Sequence, residues 1–307
     1  MLGATGATVG LGRKTALLLL AIVLGVGLGA CGGSATSTPA EAPAGAPDRF
    51  DSELAWRLTK RQVEVGQRPA GSPQLQRLAS ELRPMLPQGR FEAIPGEPAL
   101  RNIVGTLPGR QPAIVVGAHY DTLAAPKGFV GANNGAAGTA AVIAIARALS
   151  EAPGRAGQRE VDFVLFDGEE PAEGTPEESK DFLNEGLRGS RAYVEAHPGE
   201  TMAMVLLDYV ANRDLELRRE ANSTPQLWRR LLAAADVVGK SQYFSAATGP
   251  AIADDHAPFL LDGVPAIDLI DWKYPGHSLK DGLDRLSPQS LDAVGEAVTQ
   301  LVLELRE

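Results

Sequence analysis

The residues with the most chemical potential in this 307-residue chain fall in short polar clusters, each directly after an apolar run. His119-Tyr120-Asp121 follows residues 113–117, Asp167-Gly168-Glu169-Glu170 follows 161–166, and Asp208 follows 204–207. A loop after 266–270 carries His277, and Asn133-Asn134 stands just before a segment of small residues. Imidazole and carboxylate groups converging from separate elements form a donor set that suits zinc. Adjacent Glu169 and Glu170 can divide two tasks, one binding metal while the other, uncoordinated, moves protons. His256, after Asp254-Asp255, is open to either a ligand or a packing role, and His197, beside a proline in a polar stretch, reads as a surface residue.

These clusters matter because of the elements that must carry them. The apolar runs 102–106, 113–117, 161–166, 204–207 and 266–270 have the character of buried strands. Ser72-Pro73, Thr224-Pro225 and Ser287-Pro288 each pair a hydroxyl N-cap with proline at the first helical position. Helical spacing of leucines and valines follows each pair: Leu75, Leu78 and Leu82; Leu227 and Leu231; Leu291, Val294, Val298, Leu301 and Leu305. A further helix over about 135–149 is rich in Ala and Gly, which lets it lie close to a sheet. Strands alternating with helices predict an α/β sheet covered on both faces. In such sheets ligands bind beyond the carboxyl ends of the strands, where the polar clusters lie.

Composition narrows the function classes. Apolar residues make up 44%, charged residues 22% and aromatic residues 5%, as in an ordinary globular domain. With 29 Lys and Arg against 38 Asp and Glu, the net charge is −9, which excludes a nucleic-acid partner on electrostatic grounds. A single cysteine allows neither an intramolecular disulfide nor a thiolate cluster, so any metal must be held by His and carboxylates. A serine-hydrolase elbow and a P-loop are both missing from the region after residue 47.

Residues 1–30 read as an export signal: Arg13 and Lys14 precede an apolar run over 16–28, too short for an ordinary membrane span. Cys31 directly after Leu28-Gly29-Ala30 resembles the bacterial lipoprotein signal, in which the cysteine becomes the lipidated N-terminus. That resemblance implies an exported protein held to the extracytoplasmic side of a membrane through Cys31. Residues 31–47, rich in Gly, Ala, Ser, Thr and Pro, read as a flexible linker, and 48–307 as one catalytic domain.

Over most of 48–307 the chain resembles the zinc aminopeptidases and their relatives the glutaminyl-peptide cyclotransferases. The resemblance rests on Arg68-Pro69-Ala70-Gly71-Ser72-Pro73, Asn102-Ile103-Val104-Gly105, Gly117-Ala118-His119-Tyr120-Asp121, Phe166-Asp167-Gly168-Glu169-Glu170, Gly189-Ser190-Arg191 and Leu206-Leu207-Asp208. It continues through Asp254-Asp255-His256-Ala257-Pro258-Phe259-Leu260 and Val264-Pro265-Ala266-Ile267-Asp268-Leu269-Ile270. It implies a three-layer sandwich with a mixed, mostly parallel central sheet, and peptide or protein N-termini as partners. It also implies Glu170 and His277 as zinc ligands and Glu169 as general acid and base. In the two-zinc aminopeptidases His119 and Asp208 would hold a second zinc. In the one-zinc cyclotransferases Asp208 and Asp254 instead form a hydrogen-bonded acid network with Glu169. The segments at 166–170 and 254–260 lean toward the cyclotransferase branch, whose reaction converts N-terminal glutamine to pyroglutamate with release of ammonia; the alternative, the aminopeptidase reaction, hydrolyses the first peptide bond.

Two positions depart from that pattern. Asn134 stands where the family has a metal-binding aspartate. An amide oxygen can coordinate zinc but brings no charge, which weakens a two-zinc centre more than a one-zinc centre. Gly276 stands where relatives carry a tryptophan just before the histidine, so it supplies no wall for a substrate pocket. An impaired relative that binds peptide ends without turning them over is the reading those two departures favour.

Overall fold

Alternate residues of the central strands feed two separate cores, and that alternation sets the architecture of the protein. In the computed structural model, which describes residues 45–172 and 185–307, Ile114, Val116 and Ala118 lie in the larger core while Val115 lies in the smaller one. Both faces of the sheet are therefore covered, as parallel strands require. The expected export signal, Cys31, most of the linker and residues 173–184 of the acidic stretch after Glu170 lie outside the described residues. Among the described residues no helix is long and apolar enough to cross a membrane.

The strands are β1 (Arg90–Ile94), β2 (Glu97–Leu107), β3 (Arg110–His119), β4 (Arg159–Phe166), β5 (Thr201–Leu207), β6 (Leu217–Arg219), β7 (Phe244–Thr248) and β8 (Ala266–Leu269). Six form a mixed sheet in the order β1-β2-β4-β3-β5-β8, and β6 pairs with β7 apart from it. β4, β3, β5 and β8 run parallel; at one side β2 is antiparallel to β4, and β1 is antiparallel to β2. The register pairs His119 with Phe166, Gly117 with Leu206 and Leu207 with Leu269. The polar clusters that follow these strands thus emerge side by side at one end of the sheet.

The helices are α1 (Ser52–Val65), α2 (Pro73–Leu82), α3 (Gly138–Glu151), α4 (Arg188–Ala196), α5 (Pro225–Val237), α6 (Ala257–Leu261) and α7 (Pro288–Leu305). Apolar residues of α1, α3, α5 and α7 enter the larger core, whereas Tyr193 of α4 and Phe259 of α6 enter the smaller one. Each buried Val or Leu in these layers contributes about 1.5–3 kcal/mol through removal from water.

The proline-marked helices start where expected, but only two hydroxyls cap as expected. Ser72 and Ser287 accept from the backbone N–H of Leu75 and Gln289, both at 3.2 Å. Thr224 instead accepts from the N–H of Ala266 at 3.1 Å, fastening the start of α5 to β8. The small-residue helix begins three residues late, because 132–137 form a wider turn that contains Gly135 at φ +97°.

His197 is not a free surface residue. It follows α4, stacks on Tyr193 with centroids 4.4 Å apart, and lies 3.2 Å from Glu92 and 2.9 Å from Glu200. The hydrogen bond to Glu92 leads in raising its pKa to about 9 from 6.5, burial opposes that rise, and Glu200 adds to it. A raised histidine pKa stabilises the fold fully below 6.5, and that stabilisation fades as pH climbs through about 9. His197→Gln should therefore cost stability in urea unfolding at pH 6 and much less at pH 9.5. An equal cost at both would contradict the assigned charge pairing.

Candidate active site

Asp121 organises the site from a buried position just past β3. One of its oxygens lies 3.4 Å from Nδ1 of His119 and accepts from the N–H of Glu169 at 3.3 Å. Its other oxygen accepts from the N–H of Glu170 at 3.2 Å. A single carboxylate thus orients an imidazole from one strand end and the adjacent glutamates from the next. Asp167, in contrast, faces away: it accepts from the N–H of Arg101 at 3.0 Å and the Tyr120 hydroxyl at 3.1 Å.

Asp281 does similar work for the turn that carries Asn134. Its oxygens accept from the N–H groups of Asn133 at 2.8 Å and Asn134 at 3.0 Å, and from the Tyr274 hydroxyl. Arg68 is fully buried beside this turn and donates to the carbonyls of Val130 at 2.6 Å and Gly131 at 3.0 Å. Burial lowers its pKa to about 10, against the opposing charges of Asp281 and Asp121. So held, Asn134 points its amide at Glu170, with Nδ2 2.6 Å from Oε1.

Glu170 is the meeting point. Its Oε1 is 3.4 Å from Nε2 of His277, and its Oε2 is buried with no hydrogen-bond partner. Burial alone would raise its pKa, but His277, His119 and the Asn134 amide outweigh burial and hold it below the ordinary value. Glu169 is pushed the other way, well above the ordinary value: burial, Glu170, Asp254 and Asp255 all favour its protonated form, opposed by His119. Two neighbouring glutamates therefore differ in character, one with an orphaned oxygen and a lowered pKa, the other with a raised proton affinity.

His119 lies 3.6 Å from Glu169 and directs Nε2 toward Asp208 Oδ1 at 3.7 Å. Behind this pair, burial raises Asp254 to about 7, and the charge of Asp208 adds to the shift. The expected hydrogen-bonded network does not appear: among the described residues no hydrogen bond joins Glu169, Asp208 and Asp254, and they act on one another through charge, Asp254 on Glu169 and Asp208 on Asp254. His256 belongs behind that cluster, fully buried and 3.2 Å from Glu220, which makes it a packing residue rather than a ligand.

The donor set around Glu170 and His277 suits a dication. Glu170 and His277 lie within shared coordination reach, Glu170 has an unused oxygen, and Asn134 adds a neutral amide. Among the described residues, clustering of three or more His, Cys, Asp or Glu donors occurs elsewhere, at Asp48, Asp292 and Glu296. His119 and Asp208 approach each other, but without a carboxylate at 134 no bridging anion joins them to Glu170 and His277.

Two residues that sequence reasoning passed over complete the site. Asp121 lay within a quoted motif without a role of its own. Tyr209, next to Asp208, carried no signal at all; its backbone sits at φ +44° and its ring packs 5.7 Å from Tyr274. A side chain at Gly276 would overlap the Tyr209 phenol. Tyr209, just past β5, thus fills the space that a side chain at Gly276 would need. Burial and the charges of Asp208, Glu170 and Glu169 raise the pKa of Tyr209, so its hydroxyl stays protonated beside both glutamates.

Comparison with known proteins agrees with this arrangement. The profile of peptidase family M28 matches residues 102–302. The glutaminyl-peptide cyclotransferase of Gloydius blomhoffii is 28% identical over 240 residues, covering 66% of this chain and 65% of that protein. The match therefore spans just under two thirds of that curated relative's length. Among solved structures, an Acidobacteriales bacterium glutaminyl cyclase superposes with a TM-score of 0.71 at 27% identity, covering 87% of this chain and 98% of that one. A Zn-dependent exopeptidase from Parabacteroides distasonis gives 0.69 at 25% identity, covering 84% of this chain and 99% of that one.

Gly135 shows how tightly the turn is built. It has φ +97°, and a Cβ there would come within 2.6 Å of the Asp121 carbonyl oxygen. Gly135→Ala should cost about 1–3 kcal/mol in urea unfolding, from backbone strain and displacement of Asp121. Unchanged stability would contradict the close approach.

Proposed function

Because the chain belongs to peptidase family M28, we propose that it is a zinc-dependent enzyme acting on peptide N-termini, converting N-terminal glutamine to pyroglutamate with release of ammonia. The observation that carries this reading is the 3.4 Å approach of Glu170 Oε1 to His277 Nε2, with Glu170 Oε2 buried and unpartnered and Glu169 next to it in the chain. Glu170 and His277 would hold a single zinc, with the Asn134 amide beside them. When bound, zinc supplies a positive charge that polarises the side-chain amide carbonyl of the substrate glutamine. Glu169 takes a proton from the α-amine as that nitrogen attacks the amide carbon, and returns a proton to the departing nitrogen, which leaves as ammonia. Asp254, itself raised by Asp208, increases the proton affinity of the Glu169 carboxylate and so strengthens it as the base that accepts the amine proton. Asp121 holds both glutamate N–H groups and fixes where that proton is carried. Tyr209 walls the pocket and excludes water at the position where Gly276 offers no side chain.

A second reading, hydrolysis of the first peptide bond, is favoured by the 3.7 Å approach of His119 to Asp208 and by the likeness to a zinc exopeptidase. In that reaction the same Glu169 would deprotonate the attacking water. A glutamine-initiated peptide separates the two. The proposal expects ammonia and a cyclised peptide, with Glu169→Gln lowering kcat by roughly 10²–10⁴ while zinc content stays unchanged. Release of free amino acid without ammonia would move the assignment to the exopeptidase. Tight peptide binding without either product would leave only a binding protein.

The proposal extends to location: export directed by residues 1–30 and membrane anchoring through lipid on Cys31. A single acyl chain binds membranes only marginally, so more than one chain on the modified cysteine is required. Cys31→Ser should shift the protein from the membrane fraction to the soluble fraction. Unchanged fractionation would contradict the lipid anchor.

A further inference from the structure

Away from the active site, a cavity of about 510 Å³ lies between the start of the described chain and the last helix, lined in part by Asp48, Lys240, Asp292 and Glu296. Asp292 and Glu296 are four residues apart on α7, so both project from one face of the helix. Asp48 comes from the segment that enters the fold just before α1. One ligand atom from each of the three carboxylates lies within 4.8 Å of the others.

Exposed acidic groups often gather without consequence, but Glu296 is not exposed. It is 1% accessible, and its Oε2 is buried without a hydrogen-bond partner. Its other oxygen accepts from the N–H of Arg49 and, at 2.6 Å, from that of Phe50. The Phe50 ring in turn covers Gly295, where any side chain would overlap it. The buried carboxylate is therefore locked in place with one oxygen unused. Lys240 lies 2.7 Å from Asp292 and supplies one positive charge. Three carboxylates against one ammonium leave two negative charges, which one divalent cation balances.

We propose that Asp48, Asp292 and Glu296 form a calcium site that clamps the segment at 48–50 to α7. All the protein donors are oxygens, the hard ligands that calcium and magnesium prefer, and no imidazole is present to favour zinc. Three carboxylates with room for several waters suit the larger, more tolerant calcium coordination sphere better than the strict octahedron of magnesium. The role is structural: the site fastens residues 48–50 to α7 and shares no ligand with the proposed zinc site.

The test is calcium titration of the metal-depleted full chain by calorimetry, paired with thermal unfolding. One saturable calcium per chain is expected, with a dissociation constant on the order of 10⁻⁴–10⁻³ M. At calcium tenfold above that constant, the unfolding midpoint should rise by roughly 2–4 °C. Asp48→Asn, at an exposed position where folding is not at stake, should weaken binding at least tenfold and remove the midpoint rise. Glu170→Gln should leave both intact, which separates this site from the active site. No saturable binding in the wild-type chain would overturn the proposal. So would an Asp48→Asn variant that titrates like wild type, or an equal midpoint rise in sodium chloride at matched ionic strength.

Discussion

Bringing Glu170 to within 3.4 Å of His277 is the constraint on which the rest of the active site depends. The carboxylate follows β4, whereas the imidazole belongs to a loop beyond β8, and the parallel register of β4, β3, β5 and β8 is what puts the two regions at one end of the sheet. The approach then has to be stabilised against a surround dominated by acids. Asp121 fixes Glu170 through its backbone, and Asp281 fixes Asn134 in the same manner. In both cases a buried carboxylate is satisfied by backbone N–H donors, so negative charge is spent on geometry as well as on chemistry.

The same crowding divides the roles of the paired glutamates. Glu170 faces an imidazole and an amide donor, and remains anionic despite burial. Glu169 faces Glu170, Asp254 and Asp255 from a comparably buried position, and retains its proton more firmly. Identical side chains one residue apart thus acquire different acidities from what they face. Asn134 belongs to this balance: as an amide it donates to Glu170 at 2.6 Å, where a carboxylate would repel it. The amide at 134 therefore goes together with a hydrogen-bonded Glu170.

Much of the fold is legible in the sequence because its signals are local. Four of the five expected strands lie within β2, β3, β4 and β5, and the fifth runs one residue past β8, since long apolar runs mark strands buried on both faces. The Ser-Pro and Thr-Pro pairs mark three helix starts for equally local reasons, although Thr224 spends its hydroxyl on β8. Edge strand β1 is mixed in polarity and half covered, so it shows no continuous apolar run. Helix α1 was missed although Asp51 caps it, accepting from Leu54 N–H at 2.8 Å, because no proline marks its start. At the site, polar residues after strands pointed to His119, Glu169, Glu170, Asp208 and His277. The services of Asp121 and Asp281 depend on which backbone amides fold against them, and the place of Tyr209 depends on Gly276, from a distant loop; neither relation is encoded in spacing.

The central claim is that Glu170 and His277 hold one zinc between them. Metal analysis of the purified chain, combined with X-ray absorption at the zinc edge, tests it most directly. The account predicts one zinc per chain, bound by a single imidazole nitrogen with oxygen donors completing the shell. Two zinc ions per chain, or a zinc whose shell contains no imidazole, would contradict it.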